Sequence, residues 1–153
     1  MSPPAILRVD LPDLAAMSAF GDRIARRISP GDVVALEGQL GAGKTTLARA
    51  ILAGCGYAGE VPSPTFTLVE TYDPPAVLLP LVHADFYRLE DPREAAELGL
   101  DDYREGAALI AEWPQRAGGF GAEPGCLAIT LEIADGGRKA IVEGGAAWQS
   151  RMP

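Results

Sequence analysis

Three residue types that often carry chemistry are rare or missing in this chain. Among its 153 residues the sequence contains no asparagine, one histidine and two cysteines. The cysteines, Cys55 and Cys126, lie far apart and lack the close spacing of zinc ligands. We therefore expect no zinc site and two free, buried thiols, which is typical of a cytosolic protein.

Long hydrophobic runs are also missing. No apolar stretch approaches the roughly 20 residues that span a membrane. The N-terminus carries proline and acidic residues where a secretory signal has a basic and then an apolar stretch. We expect a soluble, cytoplasmic protein with no membrane partner, folded as a single domain over residues 1–144 with a poorly ordered tail over 145–153.

Positive charge is scarce as well. The chain has 13 lysines and arginines against 21 aspartates and glutamates, which gives a net charge of −8. Unaided binding to a nucleic-acid backbone requires a basic patch. Any nucleic acid must therefore be reached through a partner protein.

The most informative motif is Gly-Gln-Leu-Gly-Ala-Gly-Lys-Thr over residues 38–45. It fills the phosphate-loop template, in which glycines let backbone N–H groups curl around phosphate oxygens. The lysine supplies a point charge for the β- and γ-phosphates, and the threonine hydroxyl is an oxygen ligand suited to Mg2+. The residues expected to contact the nucleotide here are Gly41, Ala42, Gly43, Lys44, Thr45 and Thr46.

The flanking sequence supports this interpretation. A short apolar run at residues 32–37 predicts a buried parallel strand before the loop. Residues 46–52 contain no helix breaker and predict a helix, which Gly54-Cys55-Gly56 ends. The alternative is a glycine-rich turn that binds no ligand, but Lys44 suits a helix N-terminus poorly because the helix dipole disfavours cations there.

The rest of the chain alternates predicted helices and strands. Pro80 interrupts one apolar run, so its strand either lies at a sheet edge or begins late. The predicted elements are a helix from Leu14, leading into the first strand at 32–37; a loop and then a strand within 61–72; a strand within 77–84; a helix from Asp91-Pro92 to Gly99; a strand at 107–111; and a hairpin of 127–133 and 139–143.

Two of the apolar strands end in an acid, Asp85 and Glu112. A phosphate-loop site needs a carboxylate at a strand's C-terminal end to hold Mg2+ or its water. The sequence alone does not rank the two acids. His83 is two residues before Asp85 and shares its face of an extended segment, so we assign it a supporting role.

Four ordered motifs together resemble the TsaE (YjeE) family. They are the phosphate loop with the following Thr-Leu, Ser-Pro-Thr-Phe-Thr-Leu-Val from Ser63, His-Ala-Asp-Phe-Tyr-Arg-Leu from His83, and Glu-Trp-Pro from Glu112. The resemblance covers most of the chain. It implies a three-layer α/β phosphate-loop fold, with a mainly parallel sheet, flanking helices and a C-terminal β-hairpin.

The resemblance also implies a function. Members of this family are weak ATPases that use ATP and Mg2+ and work with the TsaB and TsaD proteins to make N6-threonylcarbamoyladenosine (t6A) in tRNA. The tRNA would be bound only indirectly, through that complex. A water attacks the γ-phosphate in this scheme, positioned by Asp85 or by a switch-like loop.

Individual residues acquire implied roles from the same resemblance. Glu112 would assist Thr45 at Mg2+, and Lys44, Asp85 and Glu112 would form the catalytic set, with Asp85 either at the reacting end or at the partner surface. Trp113 would lie close to the nucleotide. The residues implied for the switch loop or the partner surface are Ser63, Pro64, Thr65, Phe66, His83, Tyr87 and Arg88.

The chain departs from the family pattern at a few positions. Gln39 replaces the usual aspartate, and Met17 stands where a small hydroxyl residue is expected, so no nucleotide contact is assigned to it. Arg138 either approaches the base from the hairpin or is an exposed turn arginine. No arginine is evidently aimed at the site, which predicts that a partner completes it.

Three rival functions share the phosphate loop. A small-molecule kinase also needs a basic lid and an acceptor pocket, and Arg88, Arg93 and Arg104 are too scattered to form such a lid. A GTPase switch usually reads guanine with an Asn-Lys-x-Asp segment, which a chain without asparagine lacks. A nucleotide-dependent assembly factor differs from the ATPase only in whether turnover matters.

Overall fold

A computed structural model describes residues 5–62 and 68–153. The strands and helices alternate along most of the chain, as the sequence predicts. They are β1 (Ala5–Leu11), α1 (Leu14–Ala25), β2 (Val33–Glu37), α2 (Lys44–Gly54), β3 (Val69–Tyr72), β4 (Leu81–Asp85), α3 (Arg93–Glu97), α4 (Leu100–Arg104), β5 (Ala108–Glu112), β6 (Cys126–Ala134) and β7 (Gly137–Gly144), with 3-10 turns at Pro114–Ala117 and Ala146–Trp148.

The seven strands form one sheet in the order β1-β7-β6-β2-β5-β4-β3. The four central strands, β6, β2, β5 and β4, run parallel to one another, while β1, β7 and β3 pair antiparallel at the two sides. Central parallel strands are covered on both faces, which is why β2, β4 and β5 consist of nearly continuous buried residues.

Helices cover both faces of this sheet and create two separate cores. On one face α1 and α2 pack against the sheet through residues such as Phe20, Ile51 and Ile110. On the other face α3 and α4 contribute Ala95 and Leu100 to a smaller core. This arrangement confirms the predicted three-layer α/β fold with its flanking helices and C-terminal hairpin.

Two strand predictions need correction. The interpretation that took residues 32–37 as the first strand missed β1, whose side chains alternate between half-buried and exposed. β1 pairs only with β7, near the other end of the chain, so its sequence has no buried run to reveal it. Pro80 precedes β4, which starts late at Leu81; the edge alternative is wrong because β4 lies between β5 and β3.

The residues after Gly144 pack against the domain, in contrast to the predicted poorly ordered tail. Trp148 is fully buried, and its indole nitrogen donates a hydrogen bond to the carbonyl oxygen of Gly125 over 2.8 Å. Arg151 donates two hydrogen bonds to the carboxylate of Asp32, at 2.7 and 2.8 Å. The buried ring of Trp148 and the ion pair between Arg151 and Asp32 thus hold residues 145–153 against the domain, although the glycine and polar residues of this segment suggest disorder.

The cysteines behave as predicted, since Cys55 and Cys126 are both free and buried. Burial raises the pKa of each thiol to about 11. Among residues 5–62 and 68–153, no helix has the length and apolar character needed to cross a membrane.

Candidate functional site

The phosphate loop joins the end of β2 to the start of α2. Gly43 has a φ of 105° and caps α2 without a side-chain hydrogen bond, so the first N–H groups of the helix stay open to an anion. Gly38 has a φ of 147°, and a Cβ there would meet the carbonyl oxygen of Leu131 at 2.6 Å. The loop backbone therefore requires glycine at both positions.

Lys44 reaches back across this loop. Its Nζ donates hydrogen bonds to the carbonyl oxygens of Gly38 at 2.5 Å and Gln39 at 2.9 Å. Gln39 accepts this bond with its backbone carbonyl oxygen. The contact therefore does not depend on whether glutamine or the family's usual aspartate stands at this position. Burial lowers the pKa of Lys44, and the nearby carboxylates of Glu112 and Asp85 oppose that shift. Two of the three Nζ donors are thus used within the described residues, which leaves one for a ligand anion.

Thr45 and Glu112 are joined directly. The Thr45 hydroxyl donates to Oε1 of Glu112 over 2.7 Å. Asp85 lies opposite Glu112 in the register between β4 and β5. Both acids are buried, and the Asp85 carboxylate accepts a hydrogen bond from the Tyr87 backbone N–H at 3.0 Å. The structure thus brings both acids to the loop and gives Glu112 the direct contact with Thr45.

These groups surround one cavity of about 280 Å3. The lining residues are Leu40, Gly41, Gly43, Lys44, Thr45, Thr46, Asp85, Glu112, Trp113 and Arg138. Ala42 is buried within the loop. The predicted switch residues Ser63, Pro64, Thr65 and Phe66 lie outside the described residues.

His83 contacts Glu112, an acid of the neighbouring strand. Its Nε2 lies 2.6 Å from Oε2 of Glu112, and the side chain is fully buried. The sequence indicates only its shared face with Asp85. Because Glu112 comes from another strand, the spacing within one strand carries no signal for this contact.

Trp113 adopts an unusual backbone conformation, with a φ of 55° in the left-handed region. Its ring lies 4.4 Å below Nζ of Lys44 and 4.9 Å from the ring of Tyr87. The guanidinium of Arg116 lies over both rings, 5.1 Å from the centroid of Tyr87 and 5.9 Å from that of Trp113. This places Trp113 at the cavity and Tyr87 beside it. Arg88 is exposed.

Arg138 is bound to the loop. Its Nε donates to the carbonyl oxygen of Ala42 at 3.1 Å, and its Nη2 donates to that of Gly41 at 2.9 Å. The sequence leaves open whether Arg138 reaches the base or is an exposed turn residue. In the structure Arg138 is half-buried and holds the phosphate loop. The sequence does not predict this role, because Arg138 and Ala42 are 96 positions apart in the chain.

A second, apolar cavity of about 160 Å3 adjoins the first on the far side of Gly43. Its apolar walls come from the start of α1 and the residues before it: Leu11, Pro12, Leu14 and Met17. Gly43, Thr46 and Arg138 line both cavities. Met17, to which the sequence assigned no nucleotide contact, is therefore a wall residue beside the phosphate loop.

The donor set fits Mg2+. Within residues 5–62 and 68–153 there is no group of three or more histidine, cysteine, aspartate or glutamate side chains that could hold a metal ion. The Thr45 hydroxyl and the Glu112 carboxylate offer oxygen ligands, with Asp85 nearby. Such a sparse oxygen set suits an ion that keeps several waters and binds substrate phosphates.

Comparison with known proteins shows the family of this chain. Residues 11–140 match the profile of the family described as "Threonylcarbamoyl adenosine biosynthesis protein TsaE". The chain is 37% identical over 134 residues to the tRNA threonylcarbamoyladenosine biosynthesis protein TsaE of Haemophilus influenzae, covering 84% of this chain and 83% of that protein. It is 39% identical over 111 residues to the Synechocystis protein of the same name, with 69% of each chain covered.

A solved structure is also similar. The crystal structure of YdiB from Bacillus subtilis superposes with a TM-score of 0.72 at 28% identity, and the match covers 94% of this chain and 88% of that one. The fold, the matched profile and the curated relatives agree. The chain belongs to the TsaE family of threonylcarbamoyl adenosine biosynthesis proteins.

Proposed function

We propose that this chain is the ATPase component of the t6A modification machinery, and that it binds and hydrolyses Mg-ATP in complex with TsaB and TsaD proteins. Its membership of the TsaE family gives the pathway. The single observation that carries the ATPase proposal is that Lys44, Thr45, Asp85 and Glu112 meet in one cavity at the phosphate loop.

The two adjoining cavities suit the two ends of a nucleotide. The polar cavity presents Lys44 and the open N–H groups of α2 to the triphosphate. The apolar cavity, walled by Leu11 and Met17 among others, would take the base. Gly43, which lines both, lies between them, as expected for a chain that reads a whole nucleotide rather than a free phosphate.

Hydrolysis needs charge stabilisation and an oriented water. Lys44 and the loop amides would neutralise charge on the β- and γ-phosphates. Thr45 and Glu112 would hold Mg2+, which would supply further positive charge to stabilise the transferring phosphoryl group. The buried carboxylate of Asp85, held by the Tyr87 N–H, would accept a hydrogen bond from the attacking water.

The arginine at the site supports dependence on a partner. Arg138 lines the cavity, but its guanidinium donates to three carbonyl oxygens, those of Gly41, Ala42 and Gly137. An arginine that is already engaged in this way offers little to the transition state, where a free guanidinium accelerates phosphoryl transfer by about 10³–10⁵-fold. The isolated chain should therefore be a slow ATPase, and TsaB and TsaD should raise its rate. The net charge of −8 means that those proteins would hold the tRNA.

The experiment is a phosphate-release assay with ATP and Mg2+, run on the chain alone and with TsaB and TsaD. Lys44→Ala is the site variant, and Lys139→Ala, which removes the chain's other lysine, is the matched control. We expect slow release alone, faster release in the mixture, and loss of release for Lys44→Ala only.

Two results would contradict the proposal. One is hydrolysis by the chain alone at the rate of the full mixture, which would remove the need for a partner. The other is no ATP hydrolysis in any mixture together with transfer of the γ-phosphate to a metabolite, which would identify a small-molecule kinase instead.

A further inference from the structure

We infer that His83 is a positioning residue that holds the Glu112 carboxylate against Thr45 and thereby sets how strongly Mg2+ enhances nucleotide binding. The inference rests on the proposed Mg-ATP binding. It adds a specific role for a buried histidine to which the sequence gave a supporting role beside Asp85 or at a switch or partner surface.

Among residues 5–62 and 68–153, each oxygen of the Glu112 carboxylate has one side-chain partner. Oε1 accepts from the Thr45 hydroxyl at 2.7 Å, and Oε2 lies 2.6 Å from Nε2 of His83. A carboxylate held at both oxygens cannot rotate without breaking one of these bonds. His83 therefore fixes the plane in which Oε1 faces Thr45.

The sheet register explains how a residue of β4 reaches an acid of β5. His83 lies opposite Ile110, and Glu112 is two positions further along β5 on the same face. Ile110 packs in the core that includes α2, whereas Val82 packs in the core on the opposite face. His83 and Glu112 thus both project toward the helix whose first turn carries Thr45.

The burial of His83 favours a specific role over simple packing. The side chain has no exposure to solvent, and its Nδ1 has no hydrogen-bond partner within the described residues. An apolar residue would fill this buried space without an unsatisfied nitrogen. What a histidine adds at this position is the donor that meets Glu112.

The test compares two variants that retain most of the side-chain volume. His83→Leu removes the donor, whereas His83→Gln keeps an N–H group that can reach Glu112. Val82→Ala is the matched control, because it removes buried volume from the same strand on the opposite face. Thermal unfolding of each variant verifies that it is folded before binding is measured.

The readout is the equilibrium affinity for a non-hydrolysable ATP analogue, measured once with Mg2+ and once with EDTA. We expect His83→Leu to reduce the Mg2+-dependent gain in affinity by about tenfold, as is typical when the partner of a metal-holding side chain is lost. Affinity in EDTA should be unchanged. His83→Gln should recover most of the gain, and Val82→Ala should keep all of it.

A double-mutant cycle separates positioning from an independent effect. If His83 acts through the carboxylate, His83→Leu should cause no further loss of the Mg2+-dependent gain in a Glu112→Ala background. Additive losses from the two substitutions would overturn the inference, as would equal gains for His83→Leu and the unchanged protein.

The failure of the inference differs from the failure of the proposed function. An unchanged protein that does not bind the ATP analogue would overturn both. Normal Mg2+-dependent binding by the unchanged protein, with the same gain in His83→Leu, would overturn the role of His83 alone.

Discussion

Thr45 and Glu112 are separated by 67 positions in the chain, yet the Thr45 hydroxyl lies 2.7 Å from Oε1 of Glu112. Thr45 is the second residue of α2, and Glu112 is the last residue of β5. The two meet because β5 lies beside β2, and the end of β2 leads through the phosphate loop into α2. The fold thus places a hydroxyl and a carboxylate within hydrogen-bond distance of each other at the phosphate loop.

Removal of the loop cation should abolish tight nucleotide binding. Lys44→Ala deletes a desolvated ammonium group, and hydrogen bonds to charged groups contribute about 1.5–3 kcal/mol each. We expect a loss in ATP affinity of at least about tenfold, measured by calorimetric titration. Lys139→Ala should bind ATP as the unchanged protein does; equal losses in both variants would contradict the role of Lys44.

Neutralisation of Glu112 should affect turnover more than binding. Glu112→Gln keeps the shape of the side chain but removes the charge that faces Thr45. We expect ATP hydrolysis in the full mixture to fall by about 100-fold, while affinity for ATP in EDTA stays the same. Glu132→Gln, on an exposed position of β6, is the control. An unchanged hydrolysis rate in Glu112→Gln would contradict this assignment.

Loss of Arg138 should loosen the phosphate loop. Arg138→Ala removes hydrogen bonds to the carbonyl oxygens of Gly41 and Ala42, each contributing about 0.5–1.5 kcal/mol. We expect ATP affinity to fall by about tenfold. Arg138→Lys should recover little of it, since an ammonium group lacks the planar fork. Arg93→Ala, at an exposed arginine elsewhere, should have no effect; full recovery by lysine would argue against the loop-holding geometry.

Alkaline pH should destabilise the fold through its buried thiols. The folded pKa of Cys55 and Cys126 is about 11, above the ordinary 9.0. The contribution of each protonated thiol to the free energy of unfolding is therefore fully present below pH 9. It is lost as pH rises toward 11, at about 1.4 kcal/mol per pH unit for each thiol. Urea unfolding at several pH values measures it. The Cys55→Ala, Cys126→Ala double variant should show a smaller decline, and an identical decline would exclude the thiols as the cause.

The C-terminal segment should contribute strongly to stability. Trp148 is fully buried in the core beneath α1 and α2, and large aromatic deletions typically cost about 3–5 kcal/mol. We expect Trp148→Ala to lower the free energy of unfolding by this amount in a denaturant titration. Ser150→Ala, two residues later and exposed, should leave it unchanged. A decrease in the free energy of unfolding of less than about 1 kcal/mol for Trp148→Ala would contradict this role and would agree with a poorly ordered tail.

The parts of the fold that the sequence predicts are those set by local pattern. β2, the phosphate loop and α2 follow one another within a few residues, and their apolar run, glycines and breaker-free helix are readable in order. The Asp135-Gly136 turn similarly predicts the β6–β7 hairpin.

The parts that the sequence does not predict depend on distant partners. β1 exists because β7 pairs with it, and Arg138 holds the loop because the hairpin folds back beside it. The same holds for His83, which the sequence links to Asp85 in its own strand and the structure links to Glu112 in the next. Contacts between strands depend on register and sheet order, which local spacing does not encode.

The most direct test of the account is the yield of t6A-modified tRNA in a mixture reconstituted with TsaB, TsaD and this chain. The unchanged protein should support modification, and both Lys44→Ala and Glu112→Ala should lose it together with ATP hydrolysis. Full modification by both variants would contradict the central claim that this chain acts as an ATPase in the pathway.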